Sequence, residues 1–390
     1  MKDRGFSTRA VHTRIAETAV PSRPLAVPIY QTASFEFEDT QGLADAIADL
    51  SKGHCYSRLS NPTVDALERG VADLEGAEAA LAFGSGMAAI HGVLVGTCRK
   101  GDHIVAPAAA YGGTFTMMKN VLPRFGIETT FVPNSDLDAM RAAIRPNTKV
   151  LYAETITNPN LAVANIPALA EIANAAGIQL IVDNTFATPY LARPVEQGAD
   201  LVVHSASKYL GGHGDLIGGL IVGRKDTLAK MQHLLIEIGG QMAPFVAWLV
   251  LRGMKSLAVR MRQHCANALI LAEWLDARDD VVNVRYPGLP SHPDHALAAK
   301  NLCHGFGAMI AFELADTSKT VPFLDRLKII ARAGSLGDAH SLVIAPAHTT
   351  HRQMSPEERE AAGIPDGFVR FSVGLEDADD LIADLEGAIA

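Results

Sequence analysis

Between residues 79 and 222 the chain switches repeatedly between short apolar runs and helical stretches, and this alternation constrains the fold more than any other feature. The apolar runs lie at 79–83, 102–106, 149–153, 179–182, 201–203 and 219–222. Runs of strand length separated by helices of about 10–15 residues define βαβ units and a largely parallel sheet. The last run is expected to lie antiparallel. Polar residues follow most of the runs, and in such sheets ligands bind outside the carboxyl ends of the strands.

The flanks read differently. Pro21, Pro24 and Pro28 break up the first sixty residues, which we read as an extended, irregular arm reaching over another subunit. Asn61 and Pro62 then form a helix start, N-cap followed by proline, with Val64, Leu67, Val71 and Leu74 on one face. After about residue 250 comes one long helical stretch, Val246 to Ala277, whose Arg252, Lys255, Arg260 and Arg262 read as a solvated or intersubunit face. Strands are expected near 281–286, 308–314, 329–331 and 368–372, with a helix near 322–327. Ser355, Pro356 and Glu358 form a capping box. The expected division is an arm at 1–60, a large α/β domain at 61–250 and a smaller α/β domain at 251–390. At roughly 150 residues per domain, the length of 390 agrees with two or three units.

Composition excludes several classes. With 48 % apolar and 20 % charged residues the chain is globular rather than disordered. Its 34 Lys and Arg against 43 Asp and Glu give a net charge of −9, without the concentrated basic face that nucleic-acid phosphates require. Met1 to Phe6 carry no apolar signal core, and the apolar stretch Leu161 to Ala173 is interrupted by Asn165 and Pro167. Cys55, Cys98, Cys265 and Cys303 are widely separated and read as reduced thiols. The expectation is a cytoplasmic enzyme or binding protein.

The chemistry gathers at strand ends. The run ADLVVH ends in Ser205-Ala206-Ser207-Lys208 and two glycines, placing two hydroxyls and an amine together. Asp183 closes the preceding run, LIVD, where a carboxylate suffers desolvation and needs a cationic or protonated partner. A turn-capping role with Asn184 and Thr185 is the simpler alternative. Gly84, Gly86 and Ala89 fit a G-x-G-x-x-A dinucleotide pattern, but the next run, HIVAP, does not end in the acid that would hold a ribose. What remains is a helix N-terminus able to hold a phosphate. A phosphate cradle, a lysine and a buried aspartate together suggest pyridoxal phosphate, whose aldehyde takes a lysine and whose ring nitrogen takes a carboxylate. Tyr111 is the candidate to stack on the ring. His292 and His295 sit in a proline-rich turn without further ligands and are not read as a metal site; His340, His348 and His351 are read as loop or core residues.

Eight motifs in order resemble the cysteine- and methionine-metabolism family of pyridoxal-phosphate enzymes: YSRLSNPT from Tyr56, GSGMAA from Gly84, YGGT from Tyr111, ETITNPN from Glu154, VDNTFATP from Val182, SASKYLGGHGD from Ser205, SLG from Ser335 and VRFSVGLED from Val369. The resemblance implies a fold-type-I architecture, a mostly parallel sheet with helices on both faces plus a smaller C-terminal α/β domain. By it, Lys208 carries the cofactor through a Schiff base and shuttles protons, and Asp183 pairs with the pyridine nitrogen. Gly86, Met87, Ser205 and Ser207 bind the phosphate, with serine at 207 where most members have threonine. Tyr56 and Arg58 reach the phosphate of the neighbouring subunit's cofactor, which makes a dimer the smallest active unit, and the resemblance further implies a homotetramer built from two catalytic dimers. Tyr111 stacks on the ring and protonates the leaving group. Arg370 clamps the substrate carboxylate, assisted by Ser335 and Asn158.

Two positions bear on the substrate. Members that handle cystathionine often carry glutamate immediately before SLG, where this chain has Gly334; methionine γ-lyases usually carry cysteine where it has Gly113. The missing glutamate favours a smaller apolar thioether, and the reading is α,γ-elimination on L-methionine to methanethiol, 2-oxobutanoate and ammonia. The alternatives are γ-replacement on an O-acyl-homoserine, a cystathionine γ-lyase, and a non-catalytic cofactor-binding scaffold.

Overall fold

A seven-stranded sheet organises the larger part of the computed structural model, which describes residues 4–13, 24–133, 136–349, 352, 359 and 363–389. Its strands are β1 (Ala79–Phe83), β2 (His103–Pro107), β3 (Glu128–Val132), β4 (Thr148–Glu154), β5 (Gln179–Asp183), β6 (Leu201–Ser205) and β7 (Gly219–Gly223). They lie in the order β1-β7-β6-β5-β4-β2-β3. β7 runs antiparallel to both its neighbours, and every other pair is parallel.

The central strands are apolar at nearly every position because both faces are covered. Leu180, Val182, Val202 and Leu220 enter one core, while Ile181, Val203 and Ile221 enter the other. Helix α1 (Pro62–Glu75) packs Val64, Leu67 and Val71 into the first core. It starts as the sequence predicts: Asn61 accepts the Thr63 N–H at 2.9 Å. Helix α2 (Gly86–Thr97) packs Ile90, Val93 and Leu94 into the second. Ser85 caps it by accepting the Ala88 N–H at 3.0 Å.

The predicted single helix over Val246 to Ala277 is instead two, α3 (Pro244–Met254) and α4 (Leu257–Asp276). The break lies beside Gly253, which approaches the loop after Lys208 so closely that a Cβ would sit 2.2 Å from the Gly211 carbonyl oxygen. Ser256 turns the chain there, donating its N–H and its hydroxyl to the Gly253 carbonyl, each at 3.1 Å. Arg260 is not on a solvated face; it is buried.

The second sheet has the order β10-β11-β12-β9-β8, from β8 (Val281–Arg285), β9 (Met309–Leu314), β10 (Ala331–Arg332), β11 (Leu342–Ile344) and β12 (Phe368–Ser372). The C-terminal helix α5 (Ala378–Ile389) buries Leu381 and Leu385. β3, β11 and α5 were not anticipated: β3 is a half-polar edge strand, ETTFV, and β11 has only three residues. Within the first sixty residues the described part contains two short helices, Phe6–Val11 and Thr40–Ala48, so it is not wholly irregular. The capping box at 355–358 and His351 lie outside the described residues. His292 accepts the Asp294 N–H at 3.1 Å, and His295 Nδ1 lies 2.9 Å from the Pro287 carbonyl oxygen, so both shape their own turn. Among the described residues no helix is long and apolar enough to cross a membrane.

Candidate active site

The carboxyl ends of β4, β5 and β6, the start of α2 and the loop before β11 surround a cavity of about 420 Å³. Ten of the twelve predicted site residues line it: Gly86, Met87, Tyr111, Asn158, Asp183, Ser205, Ser207, Lys208, Ser335 and Arg370. Tyr56 and Arg58 do not. They form a cation–π pair, guanidinium carbon to ring centroid 5.7 Å, and Arg58 donates to the Ile236 carbonyl at 2.7 Å. Tyr56 is exposed.

At one end, α2 begins at Gly86, so the free N–H groups of its first turn lie at the same end of the cavity as Ser205, which closes β6, and Ser207 just beyond it. Only glycine fits at 86, where a Cβ would meet Ser205 Cβ and Oγ at 2.9 Å. Ser207 Oγ accepts the Gly218 N–H at 3.0 Å, fixing the hydroxyl and the loop before β7 together. Thr185 links the two strand ends: its hydroxyl accepts the Ser205 N–H at 2.8 Å, and its own N–H donates to Asp183 Oδ1 at 2.9 Å.

Asp183 has no ion-pair partner among the described residues. Burial pushes its carboxyl above the ordinary range, against the opposing pull of Thr185. A positively charged N–H donor entering the cavity would reverse that. Lys208 Nζ donates to Ser335 Oγ at 2.9 Å; burial, then the Arg370 charge, lowers its pKa. Arg370 projects from β12, donating from Nη1 to Asn158 Oδ1 at 3.2 Å and from Nη2 to the Ser335 carbonyl at 2.9 Å. Its Nε is buried without a partner, and burial lowers the guanidinium to about 10. A guanidinium held by neutral groups alone lacks the anion that would balance it.

The reading of the sequence missed Glu154 and Thr185, both in the cavity wall. Glu154 was missed because the expected strand stopped at Ala153. Extending it by one residue puts a carboxylate at the end of an apolar run, the same signal that singled out Asp183.

A glycine-lined helix start with serine hydroxyls, a partly buried aspartate without an ion-pair partner and a lysine of lowered basicity define the class: a fold-type-I enzyme whose residues fit pyridoxal phosphate. The family model for Cys/Met metabolism PLP-dependent enzymes matches residues 7–390, and the chain belongs to that family. It is 45 % identical over 388 residues to the L-methionine gamma-lyase of Pseudomonas putida, covering 99 % of this chain and 97 % of that one. It is 44 % identical over 366 residues to the cystathionine gamma-lyase of Bacillus subtilis, covering 94 % of each. A Campylobacter jejuni structure described as an O-acetylhomoserine (thiol)-lyase, carrying a pyridoxyl-lysine monophosphate, superposes with a TM-score of 0.94 at 36 % identity, covering 99 % of this chain and all of that one. The chain is thus a pyridoxal-phosphate-dependent carbon–sulfur lyase of sulfur amino-acid metabolism.

Proposed function

We propose that the enzyme eliminates the thiol from L-methionine, giving methanethiol, 2-oxobutanoate and ammonia. The observation that carries this is the charge inventory of the cavity wall. Among the described residues of the wall, only Glu154, Asp183, Lys208 and Arg370 are ionisable acids or bases of the Asp, Glu, Lys or Arg type. Much of the remaining wall is apolar, with Ile156, Phe186, Leu216, Ile217 and Leu336. Gly334 has no side chain, and an added Cβ there would meet nothing within 4 Å, so that position offers no anion to the distal ammonium of cystathionine. A short neutral thioether suits such a wall, and the likeness to methionine γ-lyases supports it.

When bound, pyridoxal phosphate supplies the electron sink that stabilises the charge left on Cα after its proton departs. The N–H groups of Gly86 and Met87 and the hydroxyls of Ser205 and Ser207 would hold its phosphate, and Asp183 would hold the proton on its ring nitrogen. Arg370 would take the substrate carboxylate with guanidinium N–H groups not spent on Asn158 and Ser335, a task that suits guanidinium. Lys208, with lowered basicity, carries protons from Cα and Cβ. Tyr111 would give its proton to the sulfur as the Cγ–S bond breaks. One water enters overall, as the C–N bond is hydrolysed. The exposed Tyr56 and Arg58 would complete the phosphate site of a neighbouring copy, making a dimer the smallest active unit and a pair of dimers the assembly.

Incubation with methionine alone tests the reading. Accumulation of 2-oxobutanoate and methanethiol, abolished in Lys208→Ala, is the expected result. Turnover only of an O-acyl-homoserine together with a thiol would overturn it in favour of replacement.

A further inference from the structure

Among the described residues of the cavity wall, Glu154 is the one acid or base of the Asp, Glu, Lys or Arg type for which the sequence suggests no task. It ends β4 directly beside Asp183, its register partner on β5, and only 4 % of its surface is exposed. Two carboxylates buried side by side are electrostatically unfavourable: burial and Asp183 raise Glu154 above the ordinary carboxylate range. A residue that costly needs a reason that glutamine would not serve.

The hydrogen bonds supply one. Oε1 accepts the backbone N–H of Tyr111 at 2.6 Å, and Oε2 accepts the backbone N–H of Asn158 at 3.2 Å. Both oxygens are used as acceptors. A glutamine has a single acceptor oxygen, and its NH2 would face the second N–H donor to donor. Asn158 in turn holds Arg370, and Arg370 and Lys208 both bond to Ser335. The tyrosine loop and the arginine clamp therefore meet at one carboxylate.

We propose that Glu154 is a positioning residue that sets the Tyr111 ring and the Asn158–Arg370 clamp in fixed relation across the cavity. This rests on the roles given above to Tyr111 and Arg370. Its carboxylate acts through two backbone amides and takes no proton from the substrate.

The test uses the holoenzyme with Glu154→Gln and Glu154→Asp, measuring kcat and KM, the near-visible circular dichroism of bound cofactor, cofactor stoichiometry and Tm. Glu154→Gln is expected to lower kcat/KM by roughly 10- to 100-fold, through both a lower kcat and a higher KM, since small misplacements of catalytic groups are that costly. It should change the dichroic band with no substrate present, at unchanged cofactor stoichiometry. Glu154→Asp, which keeps two acceptors on a shorter stem, should recover part of both. Glu154→Gln with kinetics and dichroism within about twofold of the parent would overturn the proposal. So would a loss of Tm or cofactor with parental kinetics per bound cofactor, which marks a purely structural role. If Glu154→Gln fails to fold, Glu154→Asp decides: parental kinetics and dichroism would overturn the proposal, and intermediate defects would support it. Tyr111→Phe and Arg370→Lys run alongside keep the two questions separate. Parental turnover in both would sink the roles given to those residues, whereas defects there with a silent Glu154→Gln would sink only the present inference.

Discussion

Two buried arginines divide the interior into a region built to bind and a region built to hold. Arg260, on α4, commits every arm: Nε to Ser256 Oγ at 3.1 Å, Nη1 to the Tyr209 carbonyl at 2.8 Å and Nη2 to the Gly253 carbonyl at 2.9 Å. It lies against Gly212, in the loop just after Lys208, where a Cβ would come within 2.1 Å of its Nη1. Arg370 faces the cavity and keeps Nε free. Burial lowers both to about 10, so both stay charged at neutral pH. Desolvation is thus common to both regions and does not tell them apart. The unspent donor does.

The sharpest way to break that contrast is to exchange the consequences. Arg370→Ala should reduce kcat/KM by about 10³-fold, the cost of losing a charge-assisted clamp, mostly through KM. Its Tm should change little, because the partners it releases, Asn158 and the Ser335 carbonyl, border the cavity and can meet water. Equal losses of Tm and activity would mean that Arg370 holds structure as Arg260 does. Arg260→Met should do the reverse. It strands two buried carbonyls and should destabilise the fold by about 4 kcal/mol, read from denaturant midpoints, while KM of the folded fraction stays near the parent's. A raised KM at parental stability would show that the support beneath the lysine loop also sets substrate geometry.

The two regions also differ in how far the sequence revealed them. Strand ends were legible because a carboxylate closing LIVD, or hydroxyls and an amine closing LVVHS, contradict the apolar run before them. Arg370 was found only through its motif, since within FVRFS a lone arginine reads as an outward-facing residue of an alternating strand. The small sheet brings it to the cavity, and that pairing of distant segments leaves no local trace. Arg260 was misjudged for a related reason. In a helix with Arg252, Lys255 and Arg262 the simplest expectation is a solvated face, and only the close approach of Gly253 to the lysine loop makes 260 an interior position. Glu154 was lost to a strand boundary one residue too short.

Acid should separate the regions further. His264 lies in the supporting layer, its ring 5.4 Å from that of Tyr209 and its Nδ1 2.8 Å from the Val373 carbonyl oxygen. Burial lowers its pKa from 6.5 to about 4. A depressed pKa means that the unfolded chain takes up the proton first. The stability it contributes is therefore complete above pH 6.5 and is lost as the pH falls from there to about 4. The loss should approach ~3 kcal/mol, and His264→Gln should flatten the fall of Tm across that window. An unchanged slope in His264→Gln would place the acid sensitivity elsewhere.

The smallest effect concerns Gly334, in the cavity wall and free of neighbours on its Cβ side. A side chain there displaces nothing, so Gly334→Glu should leave stability within about 0.5 kcal/mol of the parent. What it adds is a carboxylate in a wall whose own acids, Asp183 and Glu154, are already engaged. A half-exposed ion pair with a distal ammonium contributes at most about 1 kcal/mol, so kcat/KM for cystathionine relative to methionine should rise by about fivefold. The gain should shrink at high salt, because such a pair is screened. If the ratio does not move while the parent already turns over cystathionine well, some other group meets the ammonium, and the charge inventory that favours methionine loses its force.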